Sequence, residues 1–176
     1  MSTYKMFFAG SGGQGVLLMG QMVTYAAMLD DKSSTFFPSY GPEMRGGTAN
    51  CTVVVSERTV SCPLIYEADY VVAMNLPSLI KFEPMIKPGG IILLNKSFIS
   101  QKATRDDITV YEIPVNDIAS ELGNARVANM VMLGAFVRAT NVVSEESIER
   151  VIDETIGAKK KELRDLNMKA FESWKQ

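Results

Sequence analysis

The sequence contains no histidine, so the side chain that most often serves as a general base, a metal ligand or a triad member is missing. It has only two cysteines, Cys51 and Cys62, whereas an iron–sulfur cluster typically takes four thiolate ligands. If the protein takes part in redox chemistry, we therefore expect the electrons to travel through another chain.

Long apolar runs and an excess of basic residues are missing as well. The longest apolar stretch, 127–137, has 11 residues and is interrupted by Asn129, while a membrane-spanning helix needs about 20. Lysine and arginine number 18 against 20 acidic residues and are dispersed, which argues against a nucleic-acid partner. Since no secretory signal is visible and the two cysteines are expected to stay reduced, we predict a cytoplasmic protein without a membrane partner.

The pattern of apolar residues predicts an α/β fold. With 176 residues, 47% hydrophobic and 22% charged, the chain suits one compact domain covering 1–176. Periodicity predicts strands at 4–9, 34–37, 49–55, 59–62, 69–74, 91–94 and 109–113, and helices at 16–29, 77–82, 117–122, 125–140, 144–156 and 160–174. This alternation predicts a single three-layer α/β/α domain with a largely parallel sheet, or a mixed one if 49–55 and 59–62 form a hairpin.

Smaller signals lie between and within these elements. The sequence predicts a turn at 87–90, and Ser144 is expected to cap the helix that follows it. The methionines of 125–140 suit either a partner surface or, as we expect, a buried helix with Gly134 at a close helix crossing. The lysine run at 159–161 suits a docking site for an acidic protein or, as we expect, a solvated turn. Cys51 is expected to be a core residue.

A glycine loop follows the first predicted strand and opens the first predicted helix. Gly10, Gly12 and Gly15 match the G-x-G-x-x-G spacing of dinucleotide-binding loops, in which backbone N–H groups at a helix start attract an anion. The acidic residue that such sites need at the end of the second strand is missing, because that strand ends in Phe37-Pro38-Ser39. Anion binding and a purely structural turn therefore both stay open.

A second loop, 38–48, combines an aromatic residue, an acid and an arginine with turn-forming residues. Loops that follow strand carboxyl ends share one edge of a doubly wound sheet, so this loop is expected near the glycine loop. Arg45 offers a planar, permanently charged group for a carboxylate or phosphate. The alternative is a structural loop in which Arg45 pairs with Glu43 or Glu67.

Three segments occur together in a recognisable order: GSGGQGV at 10–16, SYGPEMRGG at 39–47 and ANMVMLGA at 128–135. With VVAMN at 71–75 and KPGG at 87–90, they resemble the gamma subunit, or common catalytic domain, of the 2-oxoacid:ferredoxin oxidoreductases. The resemblance extends over nearly the whole chain. The version of the second loop is most similar to the 2-oxoglutarate and branched-chain 2-oxoacid (ketoisovalerate) types, so pyruvate is a less expected substrate.

The resemblance implies a fold like domain III of pyruvate-ferredoxin oxidoreductase and a place in a larger enzyme. That family converts a 2-oxoacid and coenzyme A to an acyl-CoA and carbon dioxide and reduces ferredoxin or flavodoxin. It implies alpha, beta and ferredoxin-like delta partner subunits, which carry thiamine diphosphate with Mg²⁺ and the iron–sulfur clusters. No cofactor is expected on this chain alone, and the isolated chain is expected to be inactive.

By resemblance, residues from both loops are expected to support the region where coenzyme A and thiamine diphosphate bind. They are Gly12, Gly13, Gln14, Gly15, Tyr40, Gly41, Glu43, Arg45, Gly46 and Gly47. No catalytic residue and no metal ligand is assigned. Two other functions use the same glycine loop: a stand-alone oxidoreductase that binds NAD or FAD, and a stand-alone coenzyme A-binding module.

Overall fold

The computed structural model describes residues 2–39 and 48–175, and these contain a six-stranded mixed sheet. The strand order is β2-β3-β1-β4-β5-β6. The strands are β1 (Thr3–Ser11), β2 (Ser33–Ser39), β3 (Thr48–Ser56), β4 (Ala68–Ala73), β5 (Ile86–Asn95) and β6 (Thr109–Ile113). β1, β4, β5 and β6 run parallel, and β3 runs antiparallel to both of its neighbours. The predicted α/β class with a mixed sheet is confirmed.

In the described residues, six α-helices lie against the two faces of this sheet. They are α1 (Val16–Leu29), α2 (Leu76–Phe82), α3 (Val115–Glu121), α4 (Ala128–Thr140), α5 (Glu145–Ile152) and α6 (Lys161–Glu172). Alternate residues of β1 point to opposite faces: Met6 and Phe8 pack with α1, α3, α4, α5 and α6, whereas Phe7 and Ala9 pack with α2 and the irregular segments around it. The two outer layers are therefore unequal, and one contains a single described α-helix.

The hairpin predicted between 49–55 and 59–62 is wrong. β3 pairs with β2 on one side and with β1 on the other, so neither of its edges is left for another strand. Residues 59–62 are irregular, and Ser61 and Cys62 are exposed. The hairpin partner of β3 is β2, which precedes it in the chain.

The turn predicted at 87–90 is also wrong, because these four residues belong to β5. The pairing of β4 with β5 shifts register between Ala68 and Tyr70, and Gly89 has a φ of 80° and donates its N–H to Asp107 O at 2.7 Å. The proline and glycines therefore produce a bulge within a continuous strand, not a turn that precedes the strand.

The methionine-rich helix α4 is buried from Ala128 to Val137, which excludes a partner surface at Met130 and Met132. Gly134 lies at the predicted close crossing, since a Cβ there would overlap the carbonyl oxygen of Phe171 in α6. Lys159, Lys160 and Lys161 are exposed, as expected of a solvated turn. Within 2–39 and 48–175, no helix combines the length and apolarity needed to cross a membrane.

Two further predictions concern single side chains. Ser144 caps α5, because its Oγ accepts the Ser147 N–H at 3.1 Å. Cys51 is fully buried in the core, and this burial raises the pKa of its thiol to about 12 despite a hydrogen bond with the Phe8 backbone. Both predictions are confirmed, whereas Cys62 is free and exposed.

Candidate functional site

The glycine loop connects the carboxyl end of β1 to the start of α1 and lies at the carboxyl edge of the parallel strands. Met74, directly after β4, reaches this edge and donates its N–H to Ala9 O at 2.8 Å. Asn95, the last residue of β5, ends at the same edge. In α/β sheets, ligands bind outside the carboxyl ends of the strands, so this edge is the candidate site.

Gln14 fixes the shape of the glycine loop. Its Oε1 accepts the Ser11 N–H at 2.7 Å, and its Nε2 donates to Met74 O at 3.1 Å. The Gln14 backbone N–H closes the turn on Ser11 O at 3.2 Å. Both ends of the amide are thus used within the protein, and Gln14 holds the loop against the end of β4.

A row of amide side chains extends from this contact along the sheet edge. The buried Asn95 donates its Nδ2 to Met74 O at 3.2 Å and to Asn116 Oδ1 at 2.8 Å. Met74 O therefore accepts from two side-chain amides, one from the glycine loop and one from β5. We did not predict Asn95 or Asn116 as site residues, although a polar residue directly after an apolar strand, as in the sequence ILLN at 92–95, was an available signal.

Gly13 and Gly15 are required for two different reasons. Both have positive φ, 86° and 74°, which favours glycine at either position. A Cβ on Gly13 would have no atom within 4 Å, whereas a Cβ on Gly15 would overlap the side-chain amide of Asn129. Gly13 therefore presents open backbone, and Gly15 allows α4 to approach the loop closely.

Two cavities lie on opposite sides of the loop, because β3 and β4 flank β1 on opposite sides. The larger, an open groove of about 280 Å³ on the β3 side, is lined by Ser11, Gly12, Gly13, Gly15, Val16, Leu17 and Ala49. The smaller, a cleft of about 70 Å³ on the β4 side, is lined by Gly13, Gln14, Met74, Asn116, Ala125, Arg126, Ala128 and Asn129. Gly13 is shared by both.

The second loop is only partly within the described residues. Tyr40, Gly41, Glu43, Arg45, Gly46 and Gly47 lie outside them, so their predicted roles stay predictions, as does the alternative pairing of Arg45. The residues on either side are described: Ser39 pairs with Asn50, and Thr48 pairs with Ser11 at the glycine loop. The chain therefore re-enters the sheet beside the glycine loop at Thr48, whereas it leaves the sheet one strand further away, at Ser39. The expected position of the second loop itself stays a prediction.

The second half of a dinucleotide site does not form here. β2 is separated from β1 by the antiparallel β3, so its carboxyl end does not adjoin the glycine loop in the way that ribose binding requires. Asp30 instead accepts hydrogen bonds from Ser144 N at 2.7 Å, Ser144 Oγ at 2.7 Å and Ser147 Oγ at 2.5 Å. Burial alone would raise the pKa of Asp30, but these bonds and the nearby Lys32 charge lower its pKa below the usual value.

Metal binding was not predicted for this chain. In the part of the chain that the structure describes, no three His, Cys, Asp or Glu side chains come together in a way that could hold a metal ion. Among the described residues that line the two cavities, the polar side chains are those of Ser11, Gln14, Asn116, Arg126 and Asn129, and none of them is acidic.

Known proteins are similar to this chain in sequence and in fold. The sequence profile of the pyruvate ferredoxin/flavodoxin oxidoreductase family matches residues 5–174. The 2-oxoglutarate synthase subunit KorC of Methanocaldococcus jannaschii is 40% identical over 151 residues, covering 84% of this chain and 81% of KorC. The ketoisovalerate oxidoreductase subunit VorA of Methanothermobacter thermautotrophicus is 38% identical over 170 residues, which cover 96% of this chain but 35% of VorA. The chain thus spans about a third of that relative.

Solved structures agree with these matches. The gamma subunit of a keto/oxoacid ferredoxin oxidoreductase from Geobacter sulfurreducens has a TM-score of 0.82 and 30% identity, covering 96% of this chain and 94% of that one. The 2-oxoglutarate:ferredoxin oxidoreductase of Magnetococcus marinus, solved with 2-oxoglutarate, coenzyme A and succinyl-CoA bound, has a TM-score of 0.89 and 26% identity, covering 98% of this chain and 30% of that one. The resemblance read from the motifs is confirmed: the chain belongs to the pyruvate ferredoxin/flavodoxin oxidoreductase family, and its relatives include subunits of 2-oxoacid:ferredoxin oxidoreductases.

Proposed function

We propose that residues 1–176 act as one gamma unit of a cytoplasmic, multi-subunit 2-oxoacid:ferredoxin oxidoreductase and form one wall of its coenzyme A site. The complex oxidatively decarboxylates a 2-oxoacid with coenzyme A to an acyl-CoA and carbon dioxide. Its alpha, beta and delta subunits bind thiamine diphosphate with Mg²⁺ and the iron–sulfur clusters, and ferredoxin or flavodoxin accepts the electrons. This chain contributes shape and backbone N–H groups and takes no part in bond-making.

The observation that carries this proposal is the open groove on the β3 side of the glycine loop. Its volume of about 280 Å³ is at or below the lower limit of about 300 Å³ for pockets that enclose a small molecule. Gly12 and Gly13 are exposed along it, and the second loop is anchored beside it at Thr48. A groove of this size, lined by glycines and apolar side chains, suits one wall of a site that a partner subunit closes.

The rigidity of the loop supports the same role. Gln14 joins Ser11 and Met74, so the positions of Gly12 and Gly13 are set before any ligand binds. Preorganised backbone donors bind an anionic ligand at a lower entropic cost than donors that must first be ordered. The diphosphate of coenzyme A is an anion of this kind, and a glycine-rich helix entrance is suited to it.

We propose 2-oxoglutarate or a branched-chain 2-oxoacid as the substrate of the complex. The second loop resembles those types, and the matched relatives include 2-oxoglutarate synthase and ketoisovalerate oxidoreductase subunits. A pyruvate synthase subunit, PorC of Methanothermobacter thermautotrophicus, is 34% identical over 155 residues. Turnover of the reconstituted complex with each of the three substrate types, using a viologen dye as acceptor, identifies the substrate.

The proposal is tested by two substitutions at Gly13. Asn and Asp are the non-glycine residues that best tolerate positive φ, and a Cβ at this position has open space. G13D places a carboxylate beside the groove, at the residue that the groove shares with the small cleft, whereas G13N has nearly the same shape without the charge. In the complex purified with its partner subunits, we expect G13D to raise KM for coenzyme A by about tenfold or more relative to G13N, as expected for one repulsive charge at a phosphate site.

The KM for the 2-oxoacid serves as the internal control and is expected to be equal in the two variants. Equal KM values for coenzyme A in the two variants would show that the glycine loop is not part of the coenzyme A site. Titrations of the isolated chain with coenzyme A, NAD and FAD address the two alternative functions. Turnover by the isolated chain with NAD would refute the proposed division of labour.

A further inference from the structure

The small cleft on the β4 side of the glycine loop has a different chemical character from the groove. Its volume is about 70 Å³, roughly the space of two water molecules at about 30 Å³ each, which suits a single tetrahedral oxyanion better than a nucleoside or an acyl chain. None of its described lining residues is acidic. Its described lining residues with polar side chains are Gln14, Asn116, Arg126 and Asn129, and the amide of Gln14 is already bonded to Ser11 N and Met74 O.

Asn129 is the decisive residue. It is only 7% exposed, yet its side-chain amide has no hydrogen-bond partner among residues 2–39 and 48–175. In the described chain, Thr35 Oγ1 is the only side-chain N or O atom that is both fully buried and unpaired, so the Asn129 amide is reached from the cleft. Most buried amides are paired, and an unpaired one of this kind indicates that a ligand or solvent completes it.

The orientation of Asn129 follows from its contact with the glycine loop. A Cβ at Gly15 would overlap Nδ2 and Cγ of Asn129, so the amide end of the side chain points at the loop rather than into the core. It lies in the first turn of α4, a helix of 13 residues that directly follows a 3₁₀ turn over Ala125–Val127, and the start of that turn is capped by Asn124, whose Oδ1 accepts the Arg126 N–H at 3.0 Å. The partial positive charge of a helix start favours an anion beside it.

Arg126 and Asn116 supply the remaining donors. Arg126 is exposed at the rim of the cleft, and its guanidinium makes no hydrogen bond or ion pair with the described residues. Asn116 Oδ1 accepts a hydrogen bond from Asn95 at 2.8 Å. The NH₂ group of Asn116 therefore points away from Asn95 and is left as a donor for a ligand. A permanent cation and two amides without an acidic neighbour in the lining form an anion site, since charge-assisted bonds to an oxyanion are the strongest contacts these groups make.

We propose that this cleft binds a phosphoryl group, held by the guanidinium of Arg126 and the side-chain amide of Asn129. The site is separate from the groove on the β3 side, and Gly13 is the one described lining residue that the two have in common. The phosphoryl group comes from one of two sources, a phosphate of coenzyme A or free inorganic phosphate. Only the first source rests on the function proposed above.

The test uses the full chain labelled with ¹⁵N and inorganic phosphate as the probe. The side-chain amide signal of Asn129, assigned from its loss in N129D, is followed by NMR as phosphate is added. We expect a saturable shift with a Kd on the order of 1 mM and no comparable shift with chloride at the same ionic strength. A shift that does not saturate, or that chloride reproduces, would overturn the proposal.

A matched pair of arginine substitutions shows whether Arg126 takes part. R126Q removes the guanidinium at the rim of the cleft, and R150Q removes an equally permanent charge from an exposed position on α5. We expect R126Q to weaken phosphate binding by about tenfold, as for the loss of one charge-assisted hydrogen bond, and R150Q to change it by less than about twofold. Both residues are exposed, so both variants are expected to fold. Equal effects would show general charge attraction rather than a site.

Competition with coenzyme A and with dephospho-CoA, which lacks the 3′-phosphate, identifies the source. If coenzyme A displaces phosphate from the cleft but dephospho-CoA does not, the cleft binds the 3′-phosphate of coenzyme A. If coenzyme A and dephospho-CoA each displace it, the cleft binds the diphosphate. Displacement by neither, with phosphate binding still sensitive to R126Q, assigns free phosphate. The subsite stands in all three cases, and the third leaves the G13D and G13N comparison to decide the proposed function independently.

Discussion

Replacing Gln14 by glutamate is a sensitive test of how the glycine loop is held, because the change keeps the size and shape of the side chain. In the native chain Gln14 Oε1 accepts from Ser11 N at 2.7 Å, and Nε2 donates to Met74 O at 3.1 Å. In Q14E the first bond remains, but the second becomes a contact between a carboxylate oxygen and a carbonyl oxygen. The variant thus replaces one hydrogen bond by a repulsion.

The magnitude follows from these two contacts. A lost hydrogen bond costs about 1 kcal/mol, and the repulsion adds a similar amount. The bond from Ser11 N to a charged acceptor is stronger than the one it replaces and offsets part of this. We therefore expect Q14E to lower the free energy of unfolding at pH 7 by about 1 to 2 kcal/mol, as measured by urea denaturation. Met74 O keeps its bond from Asn95, which limits the loss.

The pH dependence separates this explanation from a general effect of charge. The introduced carboxyl group, when protonated, would donate to Met74 O, so the folded state of Q14E favours the protonated form and raises the pKa of this group above the unfolded value of about 4.3. The loss should therefore be small below about pH 4 and develop as the pH rises through the raised pKa. Q21E is the control, since Gln21 is exposed on the same helix and should change stability by less than about 0.5 kcal/mol. Parallel behaviour of Q14E and Q21E between pH 4 and 7 would refute the role assigned to Gln14.

Three further predictions follow from the packing of the domain. G134A should gain about 1 kcal/mol in helix propensity but lose about 3 kcal/mol to overlap with the Phe171 carbonyl in α6. We therefore expect urea denaturation to show a net loss of stability near 2 kcal/mol. A stabilised variant would contradict the close crossing of α4 and α6 at Gly134. D30N should lower stability at pH 7 by about 2 kcal/mol, because Ser144 and Ser147 lose a charged acceptor. The pKa of Asp30 is lowered in the folded state, so the stability that its charge contributes is present above the unfolded pKa of about 3.9. The difference in stability between D30N and wild type should therefore fade as the pH drops below that value. A constant difference down to about pH 2 would show that the charge of Asp30 is not the cause. Native protein at pH 8 should titrate one thiol with a disulfide reagent, the exposed Cys62, because burial raises the pKa of Cys51 to about 12; two rapidly reacting thiols would show that the core around Cys51 is open.

The helices were largely predictable from the sequence because their apolar faces repeat along the chain. Residues 16–29 were predicted as a helix and form α1 with the same bounds, and the buried character of α4 follows from its apolar residues on nearly every side of the helix. The predicted helix 144–156 ends earlier as an α-helix, at Ile152, and continues as a π-helical turn over Asp153–Gly157. Apolar spacing does not distinguish between these two helical forms.

Strand pairing was less predictable, because it depends on which edges are free. The segment 59–62 has strand-like residues but cannot pair with β3, since β3 is already paired on both sides. Residues 87–90 contain a proline and two glycines and still belong to β5, because the parallel neighbours of the strand absorb a bulge. Local composition predicts neither the pairing of β3 on both sides nor the bulge within β5.

The candidate site shows the same division between local and distant information. The glycine loop was predicted from its spacing, which is a local pattern of backbone requirements. Asn95 and Asn116 were missed because their importance comes from tertiary contacts: Asn95 donates both to Met74 O and to Asn116 Oδ1. Residues 21 positions apart in the sequence become neighbours only when β5 and α3 are placed at the same edge.

The contact between Gly15 and Asn129 explains why two motifs separated by more than a hundred residues belong together. The motif at 10–16 supplies a residue without a Cβ, and the motif at 128–135 supplies the side chain that occupies the space left free. A larger residue at 15 would push α4 away from the loop, and a bulkier apolar residue at 129 would remove the unpaired amide from the cleft. Either change would alter the loop and the cleft at once. The resemblance read from separate motifs therefore reflects one packed unit, in which the helix that fills the core also completes the edge where we propose that anions bind.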